Sequence, residues 1–557
     1  MESKEGRYVG FTGNEQLDRM LNRLVSEVKT FTENQLDHIK RLTQIGTALS
    51  AEKNLDRLLE MIVEEARKFT DANGGTLYIM SDDETALHFA IVQNDSLNIR
   101  MGGTADKITW PPVLLRNADG TENYANVSAY AAISGEVVNI PDVYNAEGFN
   151  FEGTRIFDSQ TGYRSRSMLV VPMRNHENDI IGVLQLLNAQ DPSTKEVITF
   201  SHDCEKMTES LASQAAVALS NNRLIQDLEN LLESFIASIA TAIDEKSPYT
   251  GGHVRRVAAL TMDIAEKINR VREGPLADVS FNEDKLKELR IAAWLHDVGK
   301  ITTTEYIIDK ATKLETLCDR IDLLKTRFEI IKRDHEIEQL KKRLADLRSC
   351  PAESNFEGQD AYPEAMKDDL DFLTIANMGG EFMADEMIAR LKAIAEKTWN
   401  LGGESQHLIL DDEFYNLSIR KGTLNIEERN IINNHALMSQ KILSQLPFPK
   451  KLRNVAQYAS AHHEKLDGTG YPLGLTDSQL PIQSRILALA DVFEALTAKD
   501  RPYKKGKTLS EAMQIMFMMV KDKHIDADLF DLFLKEKIYL NYARKELSAQ
   551  QIDQTEF

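Results

Sequence analysis

Residues 461–472 read Ala-His-His-Glu-Lys-Leu-Asp-Gly-Thr-Gly-Tyr-Pro and place two adjacent histidines before a glycine-rich loop. A neutral imidazole is a common metal ligand near pH 7, so His462 and His463 could each bind a metal. The glycines let the backbone turn with positive φ and approach a ligand closely. A histidine pair is often incidental, but beside Asp467 and such a loop it predicts a metal site for one ion or two.

A second ligand pair, His296 and Asp297, lies in Trp294-Leu-His-Asp-Val-Gly-Lys300. An imidazole and a carboxylate at one point of a helix can both reach a metal, and the two oxygens of Asp297 could bridge two ions. Lys300 follows His296 by four residues, so we expect it on the same helical face, where its cation can meet a phosphate oxygen. Because this pairing is also common without a metal, it is informative only together with further ligands.

Three more residues supply such ligands. His253 stands at the predicted start of a helix, and His435 lies within another predicted helix. Asp491 lies in an apolar run, Leu487-Ala-Leu-Ala-Asp-Val-Phe493, where an unpaired carboxylate would be costly to bury. Metal ligation would explain Asp491, as would a helix N-cap or a buried salt bridge.

In this order the residues of 231–545 resemble the HD-GYP phosphodiesterases of bacteria, and Asp500-Arg-Pro-Tyr-Lys504 also fits that family. The resemblance implies an all-α helical bundle with two divalent metal ions, Fe or Mn, which mixed imidazole and carboxylate ligands suit. The implied metal ligands are His253, His296, Asp297, His435, His462, His463 and Asp491, with Asp297 bridging. Catalytic roles fall to Asp297 and Lys300, and substrate contacts to Lys300, Gly470, Tyr471, Arg501 and Lys504.

Two departures from the family pattern affect these expectations. Some members have a Glu four residues before the first histidine, which supports a third metal, but this chain has Tyr249 there. We therefore expect two ions. The separation between Lys300 and His435 predicts a helical insertion at about 310–420, which could cap the site and which contains His335 as a rival to His435. We prefer His435 because a short run leads from it to His462.

Residues 38–222 are predicted to be α+β, with β-rich runs at 76–80, 87–92, 167–173 and 179–187. Segments such as Phe157-Asp-Ser-Gln-Thr-Gly-Tyr163 and Ile181-Gly-Val-Leu-Gln-Leu-Leu-Asn188 resemble GAF domains, which are sensor modules for small ligands. The resemblance implies a small ligand, such as a cyclic nucleotide, contacted by Asp158 and Thr161. A GAF fold used only for dimerisation is the alternative.

Two long helices are predicted outside these cores. The apolar stripe in 15–35 predicts an amphipathic helix within an N-terminal segment, 1–37, which could pack on the next domain or form a dimer seam. The stretch 202–245 lacks Pro and Gly and predicts a continuous helix that joins the GAF and HD-GYP regions. We expect it to pair with its copy in a parallel homodimer, although it could instead lie on its own domain.

A third stripe, Leu317 to Ile331, predicts a helix that continues over 332–347 as part of a helical hairpin, followed by an exposed loop at 351–363.

The composition limits partners and location. Formal net charge is −21, which disfavours nucleic acid or an anionic membrane as a general partner. The 3 cysteines form no C-x-x-C pair, which fits a reducing compartment. The polar start and the lack of a membrane-length apolar run predict a cytoplasmic protein with neither signal peptide nor membrane span.

These features predict a multidomain protein in which an α+β GAF sensor is joined by a long helix to an HD-GYP helical bundle with a helical insertion. The expected activity is hydrolysis of cyclic di-GMP to pGpG, with GMP as a possible further product, under control of the GAF domain. One alternative is a signalling module that binds a cyclic dinucleotide or a protein without turnover. Another is a phosphodiesterase for a different cyclic dinucleotide.

Overall fold

A computed structural model of the protein describes residues 14–246, 251–349, 364–380, 382–498 and 506–557. The chain divides into two compact units, with the boundary between Asn230 and Leu231. Tyr249, Arg501, Lys504 and the predicted loop at 351–363 lie outside the described residues. No helix among the described ranges is both long and apolar enough to cross a membrane.

The first unit is an α+β fold around one antiparallel sheet. In chain order its elements are α1 (Glu15–Ala51), α2 (Leu55–Thr70), β1 (Ala72–Met80), β2 (Ala86–Asn94), β3 (Ile99–Gly102), β4 (Val113–Leu114), α3 (Val127–Ser134), β5 (Val138–Ile140), α4 (Glu152–Thr161), β6 (Met168–Arg174), β7 (Ile180–Gln190) and β8 (Val197–Ile198). The sheet order is β3-β2-β1-β7-β6-β5, with β4 on β2 and β8 on β7. The four β-rich runs predicted from sequence are confirmed as β1, β2, β6 and β7, although Ser167 and Asp179 lie one residue before β6 and β7.

Alternation along the strands gives this sheet two buried faces. Leu77 packs with helical residues such as Ile62 and Leu211, whereas its neighbour Tyr78 packs in a second cluster with Val127. Successive strand side chains point to opposite faces, so adjacent residues enter different cores. Helices α1 and α2, with the helix that contains Leu211, therefore cover one face of the sheet. Helix α3 and its flanking loops cover the other face.

Helix α1 is longer than the amphipathic segment predicted at 15–35. It continues to Ala51, because Ile45 and Leu49 extend the apolar pattern into the core of the first unit. The N-terminal stripe, by contrast, is solvent-exposed at Leu17, Leu24 and Val28. Its role as a dimer seam stays a prediction.

Helix α5 (His202–Asp244) is the continuous helix that the sequence predicts. Its N-terminal part contributes Leu211 and Ala215 to the core of the first unit. Its C-terminal part contributes Ile236 and Ile243 to a core of the second unit. Leu228, Leu231 and Phe235 of its heptad-like stripe are exposed, and parallel pairing remains a prediction.

The second unit is mainly helical. After α5 it contains α6 (His253–Ile268), α7 (Glu283–Leu295), α8 (Glu305–Ile308), α9 (Ile321–Ser349), α10 (Glu364–Asn377), α11 (Asp385–Ala395), β9 (Thr398–Leu401), β10 (Glu404–His407), α12 (Asp411–Leu417), α13 (Ile426–Leu443), α14 (Val455–Ser460), α15 (Ile482–Thr497), α16 (Leu509–Lys521), α17 (Ala527–Lys535) and α18 (Ile538–Glu546). A large core joins α6, α7 and α15 to α16–α18. A smaller core joins α5, α7 and α14.

The predicted insertion has an apolar core of its own, built from residues such as Leu324, Leu373 and Leu408. The prediction that Leu317 belongs to the helical stripe is wrong. Helix α9 begins only at Ile321, and Leu317 is 96% exposed. Residues 398–407 form a hairpin, β9–β10, that the sequence analysis missed. Gly402 and Gly403 at its turn both have positive φ, as a two-residue hairpin loop requires.

Candidate metal centre

Five helical segments of the second unit bring seven predicted ligands together. His253 is the first residue of α6, His296 and Asp297 follow the end of α7, and His435 lies inside α13. His462 and His463 follow α14, and Asp491 lies inside α15. Because Asp491 is in mid-helix, its alternative role as an N-cap is wrong. The seven residues form three overlapping groups whose ligand atoms lie within 4.8 Å of one another: His435, His462 and His463; His253, His296 and Asp491; and His296, Asp297 and His462.

Asp297 stands between the groups. Its Oδ2 lies 3.3 Å from Nε2 of His296 and 3.6 Å from Nε2 of His253. Its Oδ1 lies 3.4 Å from Nε2 of His435 and 4.0 Å from Nε2 of His462. The two oxygens therefore face different sets of imidazoles, which is the arrangement a bridging carboxylate needs.

The imidazoles of His296, His435 and His462 turn Nε2 toward this carboxylate because backbone carbonyls hold their Nδ1 atoms from behind. Nδ1 of His296 lies 2.8 Å from the carbonyl of Ala293, and Nδ1 of His462 lies 2.6 Å from the carbonyl of Ala459. His435 makes the same contact three residues back along its helix. A carbonyl accepts a hydrogen bond, so Nδ1 carries the proton and Nε2 keeps its lone pair.

The Nε2 atoms of His296, His435 and His462 are buried and have no hydrogen-bond partner among the described residues. A buried polar atom without a partner costs free energy unless something else satisfies it. Lone pairs that converge on a shared carboxylate fit divalent metal ions. The imidazole and carboxylate donor set suits Fe or Mn better than a thiolate-preferring metal.

Burial and neighbouring charges set His462, His463 and Asp297 in the protonation states that a metal needs. Burial lowers the pKa of His462 well below its usual value, and His463 and His296 lower it further. Burial also lowers the pKa of His463 to about 3. Although burial opposes ionisation of Asp297, Lys300 and His296 hold the pKa of this carboxyl well below its usual range.

His253 and His296 differ from His435, His462 and His463, because neighbouring carboxylates outweigh burial and raise their pKa values. Burial opposes the charge of His253, but Glu494, Asp297 and Asp491 raise its pKa well above the ordinary value. Its Nδ1 lies 2.5 Å from Oε2 of Glu494, and Oε1 of Glu494 accepts from Arg256 at 2.7 Å. A metal at Nε2 would have to displace a proton from this imidazole.

Lys300 does not share a helical face with His296, so that expectation is wrong. Helix α7 ends at Leu295, and Val298–Thr302 form a separate 3₁₀ turn. The ammonium group of Lys300 nevertheless lies 2.5 Å from Oδ2 of Asp297. Gly299 explains the tight turn: a Cβ there would lie 2.0 Å from the carbonyl oxygen of His435, so only glycine lets the turn pack on α13.

Two residues that the sequence analysis missed hold ligands in place. Glu494 orients His253, as described above. Ser439 donates its hydroxyl to the carbonyl of His296 at 2.8 Å and accepts the amide of Gly299 at 2.9 Å. Glu494 follows Asp491 by three positions and Ser439 follows His435 by four, so helical spacing from a ligand was the available signal.

The loop after His463 is folded back by a third missed residue, the buried Glu464. Its two oxygens accept the amides of Leu473 at 2.7 Å and Leu475 at 2.9 Å. Gly470 packs so close to Glu464 that a Cβ would lie 2.5 Å from its Cα. This fold places the Tyr471 ring 4.8 Å from the His463 ring, at the edge of the centre.

The remaining predicted residues are less central. His335 belongs to none of the ligand groups, whereas the ring of His435 lies 5.7 Å from that of His462. Both oxygens of Asp158 accept from Ser165, and one also accepts from Tyr144. Thr161 is exposed and donates to its own helix. The ligand contacts proposed for Asp158 and Thr161 therefore remain predictions.

Comparison with family models assigns the two units. A GAF domain model matches residues 54–219, and two HD domain models match residues 250–370 and 407–529. The chain joins a GAF domain to an HD domain. All seven clustered residues fall within the HD matches, and the HD domain is a metal-dependent hydrolase fold.

Curated relatives match the HD region over short spans. The 3'3'-cGAMP-specific phosphodiesterase 1 of Vibrio cholerae is 40% identical over 116 residues, which are 21% of this chain and 26% of that protein. A cyclic di-GMP phosphodiesterase of Thermotoga maritima is 36% identical over 129 residues, which are 23% of this chain and 34% of that protein. The chain thus covers about a third or less of the length of these relatives.

Among solved structures, the GAF domain of an Acinetobacter phosphoenolpyruvate-protein phosphotransferase matches 34% of this chain and 97% of its own length. The identity is 14% and the TM-score 0.25.

Proposed function

We propose that this chain is a metal-dependent phosphodiesterase that hydrolyses cyclic di-GMP to linear pGpG, with GMP as a further product, and that its GAF domain regulates it. The observation that carries the proposal is the position of Asp297, whose two oxygens face the Nε2 atoms of four histidines. A shared carboxylate among converging imidazoles is suited to two adjacent metal ions.

The proposed ligands are His253, His296, Asp297, His435, His462, His463 and Asp491. When bound, two divalent ions would supply Lewis acidity to a phosphodiester and acidify water for an in-line displacement. Two carboxylates offset only part of the charge of such ions, so the loaded site would be positive in a chain of net charge −21. That local reversal is what an anionic substrate requires.

Side chains beside the ligands would orient the substrate. Lys300 is 29% exposed and lies against Asp297, so its ammonium group is placed to contact a phosphate oxygen. The half-buried Tyr471 offers a ring beside His463 for a base or ribose. Gly470 sets that loop, and Arg501 and Lys504 stay candidate phosphate contacts.

The substrate is proposed from the relatives, which are named for cyclic di-GMP or 3'3'-cGAMP. Both are cyclic dinucleotides cleaved at a phosphodiester, and the metal centre fixes the reaction rather than the base. A 3'3'-cGAMP phosphodiesterase is therefore the second candidate. A protein that binds a cyclic dinucleotide without turnover is the third, although the complete ligand set favours catalysis.

Product analysis tests the proposal. The full chain, loaded with Mn(II) or Fe(II), would be incubated separately with cyclic di-GMP and 3'3'-cGAMP. The double variant His296→Ala/Asp297→Ala serves as the control, with GAF folding verified by hydrogen exchange over 54–219. We expect linear product from wild type and none from the variant. Binding of either nucleotide without product from metal-loaded wild type would contradict the enzymatic proposal.

A further inference from the structure

Lys246, two residues after the end of α5, clamps a short stretch of backbone. Its ammonium group donates to the carbonyl oxygens of Lys300 at 3.1 Å, Ile301 at 2.7 Å and Thr303 at 2.6 Å. An ammonium group has three protons to donate, so these three acceptors account for all of them. Because all three donors of this half-buried ammonium group bond to main-chain oxygens, the side chain is held in one place.

The clamped stretch is the end of the 3₁₀ turn that carries the proposed catalytic groups. The turn runs over Val298–Thr302, with Asp297 immediately before it and Lys300 within it. The carbonyls at the end of a helical turn carry partial negative charge, and that of Lys300 also accepts the amide of Thr303. Lys246 satisfies these carbonyls, while the other end of the turn holds the bridging carboxylate.

The same end of α5 also contacts the helix that begins with His253. Oδ2 of the buried Asp244 accepts the amide of Val254 at 3.2 Å, in the first turn of α6. Asp244 and Lys246 therefore link the last turn of α5 to two separate segments that carry ligands. The two segments meet at the contact between His253 and Asp297.

We propose that Lys246 is a positioning residue, through which the C-terminal end of α5 fixes the Asp297–Lys300 turn and thereby the affinity of the centre for metal. The proposal rests on the proposed metal centre, although not on the identity of the substrate. The three hydrogen bonds of Lys246 go to main-chain carbonyls, so it acts by holding backbone.

Three variants of the full chain test this role. Lys246→Met removes the donors and keeps the length of the side chain, and Lys246→Arg restores a cation with several donors. Lys285→Met is the matched control, since Lys285 also donates to a main-chain carbonyl, that of Ser280 at 3.2 Å, but on the exposed start of α7. Each variant would be compared with wild type by Mn(II) titration and by amide hydrogen exchange.

The amides of Lys300 and Thr303 report on the turn, because they donate to the carbonyls of Asp297 and Lys300. We expect Lys246→Met to speed their exchange and to weaken Mn(II) binding by about 10-fold, the lower end of the range for residues that support ligands. Exchange over 54–219 should not change. Lys246→Arg should recover most of the affinity, and Lys285→Met should match wild type.

Mn(II) affinity and turn exchange in Lys246→Met equal to those of Lys285→Met would overturn the inference. So would an equal loss in Lys246→Met and Lys246→Arg, because the cation would then not be what matters. If wild type hydrolyses no cyclic dinucleotide while Lys246→Met still loses Mn(II) affinity, the proposed function fails and the clamp stands.

Discussion

Residues that lie behind the imidazoles, on the side away from Asp297, hold these rings in position. Glu494 is the clearest of these supporting residues. It is almost fully buried, and one of its oxygens contacts His253 while the other accepts a hydrogen bond from Arg256. It thereby fixes which nitrogen of His253 faces Asp297 and Asp491. Support of this kind commonly changes metal affinity without changing the fold.

Glu494→Gln tests that support. The substitution keeps the size of the side chain but removes the charge behind His253, so we expect Mn(II) affinity to fall by roughly 10- to 100-fold. Glu536→Gln is the control, since Glu536 pairs with Lys267 at 2.7 Å on the surface of the same unit. Mn(II) titration measures the affinity of both variants. Equal affinity in the two would contradict the assigned role of Glu494.

Lys313 gives a second prediction at the residue scale. It is 1% exposed and donates to the carbonyl of Leu417 at 3.0 Å, and burial lowers its pKa to about 8. Between about pH 8 and pH 10.5 the unfolded chain therefore holds a proton that the folded chain lacks, so stability should rise with pH by on the order of 3 kcal/mol.

Lys313→Met removes this titration. Urea unfolding of wild type and Lys313→Met at about pH 7.5 and about pH 10 measures the difference in free energy of unfolding. Lys313→Met should be more stable than wild type at the lower pH. The difference in free energy of unfolding between the two proteins should be smaller at the higher pH. A difference that is the same at both pH values would show that Lys313 keeps its proton in the folded state.

At the scale of elements, the insertion leaves and rejoins the HD domain at one point. The hydroxyl of Thr423 donates to the carbonyl of Lys310 at 3.1 Å, and the ammonium group of Lys310 pairs with Glu428 at 2.8 Å in the first turn of α13. Between these points the segment packs around its own core. Neither its core nor its ends supply a ligand.

Replacing 311–422 with a short Gly-Ser linker should therefore leave the metal centre intact. The ends already meet, so the linker spans little distance, and the Lys310–Glu428 pair still holds the start of α13. We expect Mn(II) binding like that of the full chain. Loss of Mn(II) binding with unchanged hydrogen exchange in the GAF domain would mean that the insertion supports the centre.

The elements also show where sequence reasoning succeeds and where it stops. Strands β1, β2, β6 and β7 and helix α5 follow from local patterns, because alternation and the absence of Pro and Gly are properties of neighbouring residues. The seven residues were predicted as ligands from the resemblance and from residue type, and the structure brings them together. The 3₁₀ turn under Lys300 was missed, because it depends on Gly299 packing against α13, a contact between residues far apart in the chain.

At the scale of the whole molecule, an acidic chain is proposed to act on an anionic substrate. Net charge of −21 would repel a cyclic dinucleotide unless a local positive charge prevailed. At the centre, the positive charges of Lys300, His253 and Arg256 are offset by the carboxylates of Asp297, Asp491 and Glu494. Bound divalent ions should therefore be required for substrate binding as well as for hydrolysis.

The most direct test of the centre is the number of metal ions per chain. Wild type and His296→Ala/Asp297→Ala would be loaded with Mn(II), freed of excess metal and assayed for metal and protein together. We predict two ions per chain in wild type and a loss of both in the double variant, because the two oxygens of Asp297 face both sets of imidazoles and His296 belongs to two of the three ligand groups. The same metal content in the two proteins would contradict the assignment of these residues as ligands.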